Sequence, residues 1–141
     1  ERLMFTSALA CLALTVYHEA RNQNLQGQIA VAQVVVERAY DPYFPDTICG
    51  VVTAGGEKLH SCAFSFYCDG KSDVPKDERA FFLAESIAWN ILNGHVKDVT
   101  GGYATHYHAS YVQPKWAVTL KPTKVIGDHI FYKERGVWIS W

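Results

Sequence analysis

The sequence predicts an α+β domain, mainly helical with a small β element, on three observations. Segments near residues 6–21, 26–39 and 77–93 carry apolar side chains at helical spacing, the stretch at 51–74 keeps no period, and the remainder is rich in glycine and aromatics with a short extended run near its end. With 141 residues, 49% of them hydrophobic, the chain has the usual size of one domain and enough apolar surface for a contiguous core. No linker, repeat or low-complexity segment divides it, so residues 1–141 read as a single domain.

The first helix is expected from about Thr6 to about Arg21, with Thr6 or Ser7 as its N-cap. Its run Leu3 to Val16 is apolar but too short to span a bilayer, lacks a cleavage site and leads straight into polar Tyr17-His18-Glu19, which reads as a buried helix and not as a membrane insertion. A start at Glu1 is compatible with removal of an upstream leader or domain. After the turn Asn22-Gln23-Asn24, residues 26–39 place Ala30, Val31, Val34, Val35 and Ala39 at helical spacing, and Pro42 and Pro45 end the helix in a turn over Tyr40 to Thr47. From Val51 to Val74, Gly55-Gly56, the cluster from His60 to Cys68 and Asp69-Gly70 read as loop with short extended pieces, a length that is usually functional. A third helix runs from Pro75 or Asp77 to Asn93 and stops at Gly94. Ile130–Lys133 and Val137–Trp141, flanking Glu134-Arg135-Gly136, suggest a terminal hairpin.

Charge narrows the partners. A formal charge of -1, from 13 basic and 14 acidic residues with no long basic run, argues against a nucleic-acid binder that works by neutralising phosphates. Aromatics make up 13% of the chain, and rings placed in loops suit stacking on sugars as well as filling a core. The four cysteines are compatible with two disulfides in an oxidising compartment; Cys62 and Cys68 are near enough in sequence to close a small loop, whereas Cys11, in an apolar helix, reads as a buried free thiol. Without a CxxC pair there is no basis for a zinc ribbon.

The densest chemical cluster is Tyr17-His18-Glu19-Ala20-Arg21. A carboxylate at the end of an apolar helix can project into a cleft, where desolvation and the helix C-terminal dipole both favour its neutral form, as a general acid requires. From position alone, the simpler reading is a surface glutamate paired with Arg21 or a lysine. His18-Glu19 also begins like the zinc-protease HExxH motif, but position 22 is Asn where the second histidine should stand. His106 and His108 would face the same side of a strand and could chelate, although HxH is a weak signal and structural histidines are commoner. No metal and no cofactor is expected. No GxSxG or nucleophilic cysteine context supports acyl transfer.

Tyr17-His18-Glu19-Ala20-Arg21, Gly27, Ala30-Val31-Ala32 and Val34-Val35-Val36-Glu37-Arg38 together resemble the opening of the SleB-type cell wall hydrolase family. The likeness continues in order through Phe44-Pro45-Asp46-Thr47-Ile48, Val51-Val52, Phe64-Ser65-Phe66, Thr100-Gly101-Gly102, Pro114-Lys115-Trp116-Ala117 and Ile126 to Tyr132. Each piece is common, but the collinear set is specific. That family includes spore-cortex lytic enzymes and phage lysins on a lysozyme-like core, so the resemblance implies an enzyme that cleaves peptidoglycan glycan strands between N-acetylmuramic acid and N-acetylglucosamine, often by lytic transglycosylation; a monomer is expected. It places such an enzyme at the bacterial cell wall, whether extracellular, periplasmic or phage-delivered.

The family's catalytic acid falls on Glu19. Two positions depart from its pattern: Glu37 stands where an asparagine is expected, and Tyr103 where alanine more often follows the Thr-Gly-Gly turn. Phe64, Ser65, Tyr103, His106, Tyr107 and His108 are candidates for substrate binding, offering stacking faces, hydroxyls and imidazoles. Asp69 or Glu37 would be the second carboxylate of a hydrolytic muramidase. Asp69 reads equally as an Asp-Gly turn former, and Glu37 as a partner of Arg38 or Arg21. A non-catalytic peptidoglycan-binding or virion structural module is the remaining alternative.

Overall fold

The computed structural model describes residues 2–134, with the side chains of the first two of these left aside. As expected, the fold is α+β and mainly helical. Helix α1 spans Ala8–Ala20, α2 Leu25–Tyr40, α3 Ile48–Thr53 and α4 Glu78–Leu92; strands β1 (His106–Ala109), β2 (Lys121–Ile126) and β3 (His129–Lys133) follow, with short 3-10 turns at Arg2–Phe5, Ser65–Cys68 and Lys115–Thr119.

Each helix starts on a side-chain cap that satisfies an otherwise unpaired backbone N–H: Ser7 for α1, Asn24 for α2, Thr47 for α3 and Asp77 for α4. Helix α1 is buried on nearly every side from Cys11 to Tyr17, because α2, α3 and α4 all pack around it. That burial explains its lack of a polar stripe. The Tyr17 hydroxyl, accepting from the backbone N–H groups of Lys76 and Asp77 at 3.1 and 3.0 Å, ties the end of α1 to the start of α4. No helix of the described residues is long and apolar enough to cross a membrane.

Two sequence expectations are corrected. Helix α3 falls where a turn and a loop were expected, since six residues are too few to display a period; the Thr47 cap is its signal. Cys11 is not a free thiol: it is bonded to Cys49 of α3, alongside the Cys62–Cys68 bond. One half of the expected terminal hairpin, Val137–Trp141, lies outside the described residues; the other half, within β3, forms a hairpin with β2 through Gly127-Asp128. Gly127 has φ +55, and a Cβ there would stand 2.7 Å from the Gln23 side-chain oxygen, so glycine suits this turn on both counts.

The sheet is antiparallel with order β1-β3-β2. Strand β2 was not anticipated because it is an edge strand whose residues are mostly exposed, with Pro122 and an irregularity between Pro122 and Lys124 breaking the alternation. Two hydrophobic clusters result. One, around Leu12, Val16, Val35, Val52 and Ile87, joins the four helices; the other, Ala20, Ala30, Val31, Val34, Ala104, Ile126 and Phe131, glues the sheet to α1 and α2. Tyr107 packs against both.

Candidate active site

Glu19 occupies the last turn of α1, half-buried, on the wall of a cleft of about 380 Å³. Its Oε1 accepts a hydrogen bond of 2.5 Å from the Tyr107 hydroxyl. Burial raises the Glu19 carboxyl above its ordinary value of 4.5, while the Tyr107 bond and the charges of His18 and Arg38 oppose the rise. Burial and the adjacent carboxylate push the Tyr107 hydroxyl well above its ordinary value, so it stays a donor.

The alternation of β1 decides which of its side chains reach Glu19. Tyr107, opposite Phe131 in the register, faces the helices, whereas His106 and His108 face the other side. There both imidazoles lie about the Trp116 ring, at 5.2 and 5.5 Å between centroids. His108 is buried, bonded through Nε2 to the Tyr132 hydroxyl at 2.8 Å and through Nδ1 to the Ala109 carbonyl at 2.7 Å. His106 shares a 2.9 Å hydrogen bond with the Thr105 hydroxyl, and burial, with the Arg38 charge, lowers it to about 4. Among the described residues, no group of three or more His, Cys, Asp or Glu is disposed to hold a metal ion.

The rest of the cleft wall comes from the loop between α3 and α4. Ser65 and Asp69 both line it. The Asp69 carboxylate also accepts from the Lys71 N–H at 2.9 Å, so it forms the turn and faces the cleft at once. Phe64 does not offer a stacking face: at 2% exposure it belongs to the helical core, beneath the Arg38 guanidinium. Phe66, also buried, lines the cleft and stacks on His18 at 4.6 Å. His18 in turn bonds the Asp73 carbonyl at 2.8 Å, fixing the loop against α1 next to Glu19.

Glu37 and Tyr103 line a separate depression of about 140 Å³ with Gln33, Val36 and Asp98. Burial, then Asp98 and Asp41, raise the Glu37 carboxyl, and the opposing charge is Lys133, not the expected Arg38 or Arg21. Arg21 instead bonds the Tyr17 carbonyl and lies over the Tyr17 ring. Tyr103, at φ +59, closes a turn in which the Asp98 carboxylate accepts from Thr100, Gly102 and Tyr103; although burial pushes Asp98 up, these hydrogen bonds hold it below its ordinary value. Of the sequence candidates, then, Glu19, Tyr107, Ser65 and Asp69 meet at one place. His18, Phe66, Asp73 and Arg38 were not among them. His18 and Arg38 stood inside the motif pieces, but their contacts run 55 and 67 residues along the chain, to Asp73 and Thr105.

A family model described as Cell Wall Hydrolase matches residues 22–132, beginning just after Glu19. The spore cortex-lytic enzyme of Halalkalibacterium halodurans is 32% identical over 85% of this chain, and that of Bacillus cereus 31% identical over 86%. The chain spans 33% and 42% of the length of those two relatives. Among solved structures, the catalytic domain of the germination-specific lytic transglycosylase SleB from Bacillus anthracis superposes with a TM-score of 0.72 at 31% identity, over 89% of this chain and 93% of that one. The catalytic domain of the Bacillus cereus SleB protein does so at 0.71, with 31% identity and 89% coverage of each chain.

Proposed function

The chain belongs to the cell wall hydrolase family, and from that membership we propose that residues 1–141 act as one catalytic domain that cuts peptidoglycan glycan strands between N-acetylmuramic acid and N-acetylglucosamine by lytic transglycosylation. The observation that carries this reading is the Glu19 carboxyl: raised by burial, open to a cleft and held at one oxygen by Tyr107. The chemistry follows that of the Bacillus anthracis relative, which bears the name lytic transglycosylase.

Glu19 begins protonated and gives its proton to the glycosidic oxygen as the bond from that oxygen to the muramic anomeric carbon breaks. The same sugar's C6 hydroxyl then attacks the anomeric carbon, and its proton returns to the Glu19 carboxylate. One carboxyl therefore serves as acid and then as base, no water is consumed, and the product carries a 1,6-anhydro ring. By holding one carboxyl oxygen, Tyr107 sets the plane in which the other exchanges the proton. General acid catalysis contributes on the order of 10²- to 10⁴-fold, and binding and distortion of the sugar supply the remainder. The enzyme would act as a monomer on the bacterial cell wall.

Mass spectrometry of fragments released from purified sacculi tests this. Anhydromuramic ends are expected from the native protein and none from Glu19→Gln. Reducing ends would instead assign water as the nucleophile, with Asp69 across the cleft as its activator; sacculi bound without release would leave only a binding module.

A further inference from the structure

Arg38 is a half-buried cation set among apolar groups, at the opposite end of α2 from its cap. Its Nε donates to the Thr105 carbonyl at 2.7 Å, and its guanidinium lies 5.0 Å from the Phe44 ring centroid and 5.4 Å from that of Phe64. Taking a cation out of water is costly unless something nearby offsets it, and a core in need only of a spacer would use an apolar side chain. Two ring faces and one carbonyl offset part of that cost. The electrostatic neighbours of Arg38 are Tyr107 and Glu19, so its charge is placed to favour the carboxylate once Glu19 has lost its proton.

The anchoring point matters as much as the charge. Thr105 immediately precedes β1, and Tyr107 is two residues further on, so the side chain that grips the Thr105 carbonyl also sets where the Tyr107 hydroxyl meets Glu19. We propose that Arg38 is a positioning residue for the acid: from α2 it locks the start of β1 in place for the Tyr107–Glu19 hydrogen bond, and its charge supports the carboxylate that forms as Glu19 gives up its proton. This rests on Glu19 being the acid and base. The charged and titratable groups around Glu19 are Tyr17 and His18 on its own helix, Arg21 at that helix's end, Arg38 on α2 and Tyr107 on β1, with Asp69, Asp73, Lys71 and Lys76 on the facing loop.

The test compares Arg38→Met with the native protein on purified sacculi, measuring kcat, KM and the pH profile of kcat/KM. Activity that needs protonated Glu19 is lost as pH rises through its titration, and removing a neighbouring cation makes the proton harder to lose, so the alkaline limb is expected to move to higher pH. A fall in kcat on the order of tenfold, with KM nearly unchanged, accompanies it. Should Arg38→Met not fold, Arg38→Gln carries the same test, since it keeps a donor for the Thr105 carbonyl and loses only the charge. An alkaline limb that stays in place in the variant that folds overturns the proposal. An active Glu19→Gln enzyme would instead overturn the reading of Glu19 itself, so the two failures are distinct.

Discussion

Burial of Glu19 at the last turn of α1 sets function against stability. Its carboxyl titrates above 4.5 in the folded chain and near 4.5 in the unfolded one, so between those values the folded state keeps a proton that the unfolded state has released. Stability therefore falls as pH rises through that window, and the loss is complete above the folded value. Glu19→Gln removes the penalty and retains an oxygen for Tyr107. It should melt at a higher temperature than the native protein at pH 7, with the difference closing as pH drops to 4.5, as calorimetry across pH would show. Glu19 was legible in the sequence because an acid ending an apolar helix sits inside a recognisable motif. Tyr107 was legible only as one of several aromatic and histidine candidates, for a physical reason: which face of a four-residue strand points at the helices depends on the pairing of β1 with β3, and a single sequence does not display that register.

At the scale of elements, α1, α2 and α4 were legible because each is long enough to show a period and begins on a cap. Helix α3 and strand β2 were not, the first being a single capped turn and a half, the second an exposed edge. The consequence of missing α3 was to leave Cys11 without its partner. The Cys11–Cys49 bond closes 38 residues and staples α3 to the buried helix that carries Glu19. Replacing both cysteines by serine should cost about 4 kcal/mol in denaturant unfolding. The Cys62–Cys68 bond closes only 6 residues, which is worth about 2 kcal/mol. Yet its loop holds Ser65 and Phe66 against the cleft, so its removal is expected to depress turnover more than the Cys11–Cys49 change does at a temperature where both variants remain folded. Equal turnover in the two would mean that the loop keeps its shape through the His18 contacts alone.

For the whole molecule, the prediction of a mainly helical α+β domain held because composition and long helices dominate that judgement. What the sequence did not display is that the sheet docks through its own apolar layer, separate from the core that joins the helices. Gly101 shows how closely the sheet is built: at φ +84, a Cβ there would stand 2.7 Å from the Thr123 carbonyl of β2. Tyr107 alone, among the side chains of β1, touches both apolar layers and Glu19. A protein assembled in two layers can open one before the other. If the sheet lifts from α1 and α2 while the helices stay packed, the helical signal survives but Glu19 loses its donor. In a urea titration the activity midpoint is accordingly expected at lower denaturant than the midpoint read by far-ultraviolet circular dichroism; coincident midpoints would mean that the two layers open as one. Loss of the proposed lytic activity would then be an early and reversible event, with the site silenced well before the chain is denatured.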